Sequence, residues 1–89
     1  KLPMPEDKKA AFMQSLLSSA SFGESERITI DGLRLDFGYG WGLIRPSNTS
    51  AYLIIRFEAE TDTQLMKLKS IFARELLAVE PNLELPFTY

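Results

Sequence analysis

Between Trp41 and Arg56 the chain reads WGLIRPSNTSAYLIIR, two apolar runs rich in β-branched residues on either side of the polar segment Arg45-Pro46-Ser47-Asn48-Thr49-Ser50. Proline holds its φ at about −65° and has no N–H for a sheet ladder, so a proline between two strand-like runs brings the chain out of the sheet at that point. The first run is expected to end as a strand at Arg45, the loop to sit at the sheet's rim, and the second run to return antiparallel. Any fold for this chain has to be built around that pair and its polar elbow.

The returning strand divides cleanly by alternation. Leu53, Ile55, Phe57 and Ala59 form one row, expected in the core, while Tyr52, Ile54, Arg56 and Glu58 form a wetter row on the other face. Upstream, Arg27-Ile28-Thr29-Ile30 reads as a strand. Asp31-Gly32 is the dipeptide that type I′ turns prefer, which predicts a tight hairpin into Leu33-Arg34-Leu35-Asp36-Phe37. Leu33, Leu35 and Phe37 should face one way, Arg34 and Asp36 the other. Gly38-Tyr39-Gly40 then makes the turn into the central pair.

One helix is expected before the strands and another after them. Pro5 suits a first helical position and Glu6 and Asp7 follow where the helix dipole favours negative charge, which predicts a helix over 6–22. Phe12, Met13, Leu16, Leu17 and Ala20 give it one apolar face, and Phe22 and Gly23 should close it, Gly23 as a left-handed cap. Thr61-Asp62-Thr63-Gln64 matches a capping box, opening a second helix over 62–79 whose inward residues are Leu65, Leu68, Ile71, Phe72, Leu76 and Val79. Pro81 must end it. Residues 80–89 alternate apolar positions around Pro86 and should lie along the surface or make a short edge, while residues 1–5, with two prolines, read as an extended connector. The 89 residues thus make a single α+β domain, a four-stranded antiparallel sheet over 27–59 with two helices packed on one face.

Composition narrows the chemistry. There is no cysteine and no histidine, which removes thiolate and imidazole metal ligands, the usual nucleophile–base pairs and any disulfide framework. A net charge of −2 argues against a nucleic-acid partner, which would call for a basic surface. No apolar run approaches the roughly 20 residues that cross a bilayer, so a membrane partner is not expected either. The chain opens on Lys1 and runs straight into Leu-Pro, and is read as a piece of something longer.

What remains is the loop. A guanidinium can meet two phosphate oxygens with parallel charge-assisted bonds while hydroxyls and backbone N–H groups take the others, and Arg45 to Ser50 supplies all of these within six residues. The bland alternative is that Ser, Asn and Thr build a turn through local side-chain to backbone bonds with Arg45 solvated at a strand end. Asn48-Thr49-Ser50 also fits a glycosylation sequon, without any sign of secretion. Tyr39 and Trp41 could form a sugar platform, although packing at a strand end is the commoner role for such a pair. Arg56 either adds charge beneath the loop or pairs with Glu58 or Asp36. A competing class altogether is a non-catalytic interaction or regulatory module whose open sheet face binds a protein.

Three segments carry a family likeness: Asp31-Gly32-Leu33-Arg34-Leu35, Gly40-Trp41-Gly42-Leu43-Ile44-Arg45-Pro46-Ser47-Asn48-Thr49, and Tyr52-Leu53-Ile54-Ile55-Arg56-Phe57-Glu58-Ala59. Together they resemble the C-terminal domain of the α-D-phosphohexomutases, most closely the bacterial phosphomannomutase/phosphoglucomutase branch, and the likeness runs over essentially the whole chain. It implies a TATA-binding-protein-like α+β fold within a four-domain cytoplasmic enzyme that interconverts hexose 6-phosphates and 1-phosphates through a bisphosphorylated sugar. It also implies magnesium and hexose 1,6-bisphosphate as cofactors of the intact enzyme, with the reacting serine and the metal ligands in domains that match nothing here, so that this segment alone is expected to be inactive. Arg45, Ser47, Asn48 and Thr49 inherit the contacts to the substrate's non-reacting phosphate, with Arg56 in support. Asn48 bears on the branch, because related glucosamine mutases usually carry glycine there. Pro46 stands where alanine is expected, and Ser50-Ala51 where the family commonly has Thr-Pro.

Overall fold

The computed structural model describes residues 2–19, 26–29, 32–47 and 50–89. Seven elements follow one another: β1 (Leu2–Pro3), α1 (Glu6–Ser19), β2 (Glu26–Ile28), β3 (Leu33–Asp36), β4 (Gly40–Pro46), β5 (Tyr52–Ala59) and α2 (Asp62–Val79). The strands form one sheet in the order β1-β5-β4-β3-β2, antiparallel throughout. Both helices pack against β4 and β5 and against each other. The four-stranded meander thus stands, with a fifth, short edge strand where a connector was expected: Leu2 pairs with Leu53 and Pro3 with Tyr52. Pro3 is tolerated because an edge position asks for no further donor. Burial of Leu2 and Met4 in the core explains why so short a segment adheres.

The core lies between the sheet and the helices. Leu16 from α1, Leu33 and Leu35 from β3, Ile44 from β4, Leu53 from β5 and Phe72 and Leu76 from α2 are all fully buried in it. Burial of a Leu, Ile or Phe side chain contributes about 1.5 to 3 kcal/mol, so this cluster dominates the stability of a domain this small. Phe72 packs edge-on to Phe57, with ring centroids 5.1 Å apart. It can do so because Gly42 is beneath it: a Cβ at position 42 would fall 2.4 Å from the Phe72 ring.

The α2 boundaries are those expected from the pattern. Thr61 caps it, its Oγ1 accepting from the Gln64 N–H at 3.2 Å. The reciprocal half of the capping box is not made, since Gln64 Oε1 is buried without a donor. In α1 the Pro5 carbonyl accepts from the N–H groups of Lys8 and Lys9, so Pro5 precedes the helix rather than occupying its first turn. The stop expected at Phe22 and Gly23 lies outside the described residues.

Two details of the sheet differ from expectation. β4 continues one residue past Arg45, with Pro46 opposite Leu53, and Ser47 N–H then closes on the Tyr52 carbonyl at 3.0 Å. Pro46 itself donates nothing, and the ladder resumes around it. The second concerns the β2–β3 hairpin, where Asp31 lies outside the described residues. A two-residue Asp31-Gly32 turn would set Ile28 opposite Leu35. Instead Arg27 is opposite Leu35 and Ile28 opposite Arg34. A slip of one residue exchanges the two faces of a strand. Here it puts Arg27 on the helix side, where its Nη1 donates to the Leu17 carbonyl near the end of α1 at 3.1 Å, a favourable place for a cation. Ile28 goes to the open face.

Candidate functional site

The ends of β4 and β5 position the expected loop. Arg45 is the penultimate residue of β4, opposite Ile54, and half-buried on the face away from the helices. Alternation along β4 puts Leu43 on that same face, and Leu43 lies between Arg34 of β3 and Arg56 of β5. Diagonal neighbours across a sheet stand about 7–8 Å apart, so Arg34 and Arg56 flank the line that ends in Arg45. Their surroundings separate them. The Arg34 guanidinium lies over the Trp41 ring, 4.5 Å from its centroid. Arg45 and Arg56 make no ion pair among the described residues.

Neither acid proposed for Arg56 is engaged with it. Glu58 Oε2 accepts from Trp41 Nε1 at 3.0 Å, and Asp36 Oδ1 accepts from the Gly38 N–H at 2.9 Å. Trp41 is thereby occupied at its edge and on its face. Tyr39 stacks on Phe37, with Lys67 Nζ 5.2 Å from its ring. Both aromatics have the packing role, at the end of β4 remote from the loop.

Room for Arg45 comes from Gly32. At φ +99° it sits in the left-handed region, and a Cβ there would fall 2.6 Å from the Cβ of Arg45 and 2.5 Å from the Ile44 carbonyl. Only a residue without a side chain lets the β2–β3 connection cross so close to the base of the guanidinium.

Ser47 is buried, and its groups serve the loop: its Oγ accepts from the Ser50 N–H at 3.3 Å, while its N–H holds the Tyr52 carbonyl. Asn48 and Thr49 lie outside the described residues. The Ala51 carbonyl accepts from the Met4 N–H at 2.9 Å, tying the N-terminal segment to the exit of the loop.

One contributor escaped the sequence reading. Lys9, from α1, reaches beneath the loop, where its Nζ donates to the carbonyls of Ser47 at 2.6 Å and Ser50 at 2.9 Å and pairs with Glu6 Oε1 at 2.8 Å. The local signal was its spacing: position 9 precedes Phe12, Met13 and Leu16 by three, four and seven residues, so it falls on the buried stripe. Among the described residues no group of three or more acidic side chains is placed to hold a metal ion. No helix among the described residues is long and apolar enough to cross a membrane.

Comparison with known proteins gives a consistent picture. The family model described as "Phosphoglucomutase/phosphomannomutase, C-terminal domain" matches residues 1–75. The chain is 43% identical over 86 residues to a phosphomannomutase/phosphoglucomutase of Pseudomonas putida, covering 97% of this chain and 19% of that protein. It is 41% identical over 75 residues to a phosphoglucomutase of Neisseria meningitidis serogroup A, covering 83% of this chain and 16% of that one. Among solved structures, a phosphoglucomutase/phosphomannomutase family protein from Burkholderia thailandensis superposes with a TM-score of 0.85 at 39% identity, over 89% of this chain and 18% of its own. The chain spans about a fifth of the length of the curated relatives it matches, at 19% for the Pseudomonas protein.

Proposed function

The chain belongs to the family of phosphoglucomutase/phosphomannomutase C-terminal domains, and from that premise we propose that it is the part of a larger hexose-phosphate mutase that grips the phosphate not undergoing transfer. The observation that carries this reading is the state of Arg45: a guanidinium at the rim of the sheet, on its open face, with no carboxylate partner among the described residues. Beside it is a loop rich in hydroxyls.

Such a clamp suits a reaction that passes through a bisphosphorylated sugar. The intermediate has to turn over so that either end can meet the transferring group, and a site that reads only a phosphate serves both orientations. Binding energy from the remote phosphate then positions the reacting end. Arg45 would supply the bidentate charge-assisted contact, with Asn48 and Thr49 as further donors, Ser47 at the base of the loop and Arg56 adding positive charge. Magnesium and the phosphoryl-carrying serine belong to other domains in this reading. The segment alone then has no mutase activity.

In the intact enzyme, Arg45→Ala should lower kcat/KM for glucose 1-phosphate about 10 to 100-fold, or about 1.4 to 2.8 kcal/mol. An unchanged value would refute the clamp. The competing reading, a protein-docking module, draws on Ile28, Leu43 and Ile54 along the open face. Titration with a hexose phosphate separates the two, since the clamp shifts the amides next to the loop and leaves those of β2 and β3 in place.

A further inference from the structure

Lys9 is the one charged side chain among the described residues that is almost wholly buried, at 5% exposure. A buried ammonium is costly unless each proton finds an acceptor. Here the Ser47 carbonyl, the Ser50 carbonyl and Glu6 Oε1 supply three. A leucine or methionine at position 9 would complete the apolar stripe of α1 but would leave both carbonyls without this donor. The lysine therefore fixes where those carbonyls point. Both belong to the loop proposed to meet the phosphate, in segments 38 and 41 residues away.

We propose that Lys9 is a positioning residue of the anion site: from below, its ammonium holds the Ser47 and Ser50 carbonyls inward and places a buried positive charge behind the loop. The inference rests on the clamp reading given above. A trans peptide sets its N–H opposite its carbonyl, so drawing the Ser50 carbonyl onto Lys9 turns the Ala51 N–H to the outer side. Carbonyl oxygens that would repel an anion are kept away from it by the same contacts. Glu6, its carboxylate largely in solvent at 65% exposure, offsets the charge only in part, because water screens an exposed carboxylate far more than a buried ammonium.

The test compares Lys9→Met, Lys8→Met and Arg45→Ala in the full-length enzyme that carries this domain, with kcat and KM for glucose 1-phosphate measured well below each variant's Tm. A residue needed only for folding lowers the amount of active enzyme and so the apparent kcat, leaving KM alone. A positioning residue moves KM. Lys9→Met should raise KM about 10-fold with kcat changed by less than about twofold. Lys8→Met, which removes an exposed charge of the same helical turn, should leave both within about twofold. If Lys9→Met does not fold, Lys9→Gln keeps a donor for the carbonyls while removing the charge, and should raise KM about threefold or more. Unchanged KM in the folded Lys9 variant beside a raised KM in Arg45→Ala overturns this inference and leaves the clamp standing. Unchanged KM in both overturns the clamp as well.

Discussion

Two glycines fix where neighbouring side chains can stand, and each makes a prediction of its own kind. At Gly32 the backbone is in the left-handed region and a Cβ would collide with Arg45. Gly32→Ala should therefore cost about 1–3 kcal/mol in thermal or denaturant unfolding and, because the collision is with the strand bearing Arg45, should raise KM for hexose phosphate as well. At Gly42 the obstacle is the Phe72 ring, a contact inside the core. Gly42→Ala should cost a similar 1–3 kcal/mol, roughly, by overpacking, with KM unaffected in the folded fraction. A Gly32→Ala enzyme that loses stability yet keeps its KM would show that the close crossing has no bearing on Arg45.

At the scale of elements, what could be read from the sequence was what is written locally. The 62–79 helix announces itself through a cap, a 3.6-residue apolar period and a closing proline, and its ends fall at Asp62 and Val79 as expected. The strand pair around the loop is equally legible, because Pro46 and the alternation of Leu53, Ile55, Phe57 and Ala59 are near neighbours. The site's motif, Arg45 to Thr49, is contiguous and so was visible. What failed to show is what depends on distant partners: β1 exists only through Leu53 and Tyr52, and Lys9 only through carbonyls some forty residues on. The β2–β3 register is a related case, because the side of the sheet that Arg27 takes shows only with its contact to the Leu17 carbonyl on α1. Half a motif can also mislead. Thr61 makes its cap bond while Gln64 Oε1 finds no donor, so Thr61→Ala should cost about 1 kcal/mol. Gln64→Ala should cost less than half of that by the same denaturant midpoint measurement, and equal losses would mean that the full capping box operates in solution.

Taken whole, the chain encloses its own core. Its radius of gyration is 12.3 Å, against about 12 Å for a compact chain of this length. Buried residues run without a break from Leu2 through Leu16, Leu53 and Leu76. The last residues belong to that unit although they form no strand: Leu83, Leu85 and Phe87 pack against the core, and Phe87 lies edge-on between Phe57 and Tyr89 with centroids 5.0 and 6.1 Å away. This aromatic row meets the sheet at Phe57, opposite Gly42 in mid-β4, whereas the anion loop leaves from Pro46 and Leu53. The aromatic packing and the proposed phosphate contact thus lie at different places on the same strands. Phe87→Ala, at a half-buried position, should cost about 1–2 kcal/mol, below the 3–5 of a fully buried phenylalanine, and lower the Tm of the chain by roughly 5–10 °C. Because the row meets the sheet at Phe57, opposite Gly42 and away from the strand ends at Arg45 and Ser47, the same substitution in the intact enzyme should leave KM for glucose 1-phosphate unchanged. A raised KM in Phe87→Ala, measured below its Tm, would mean that the tail's packing reaches the loop through β5 and that the two are one cooperative device.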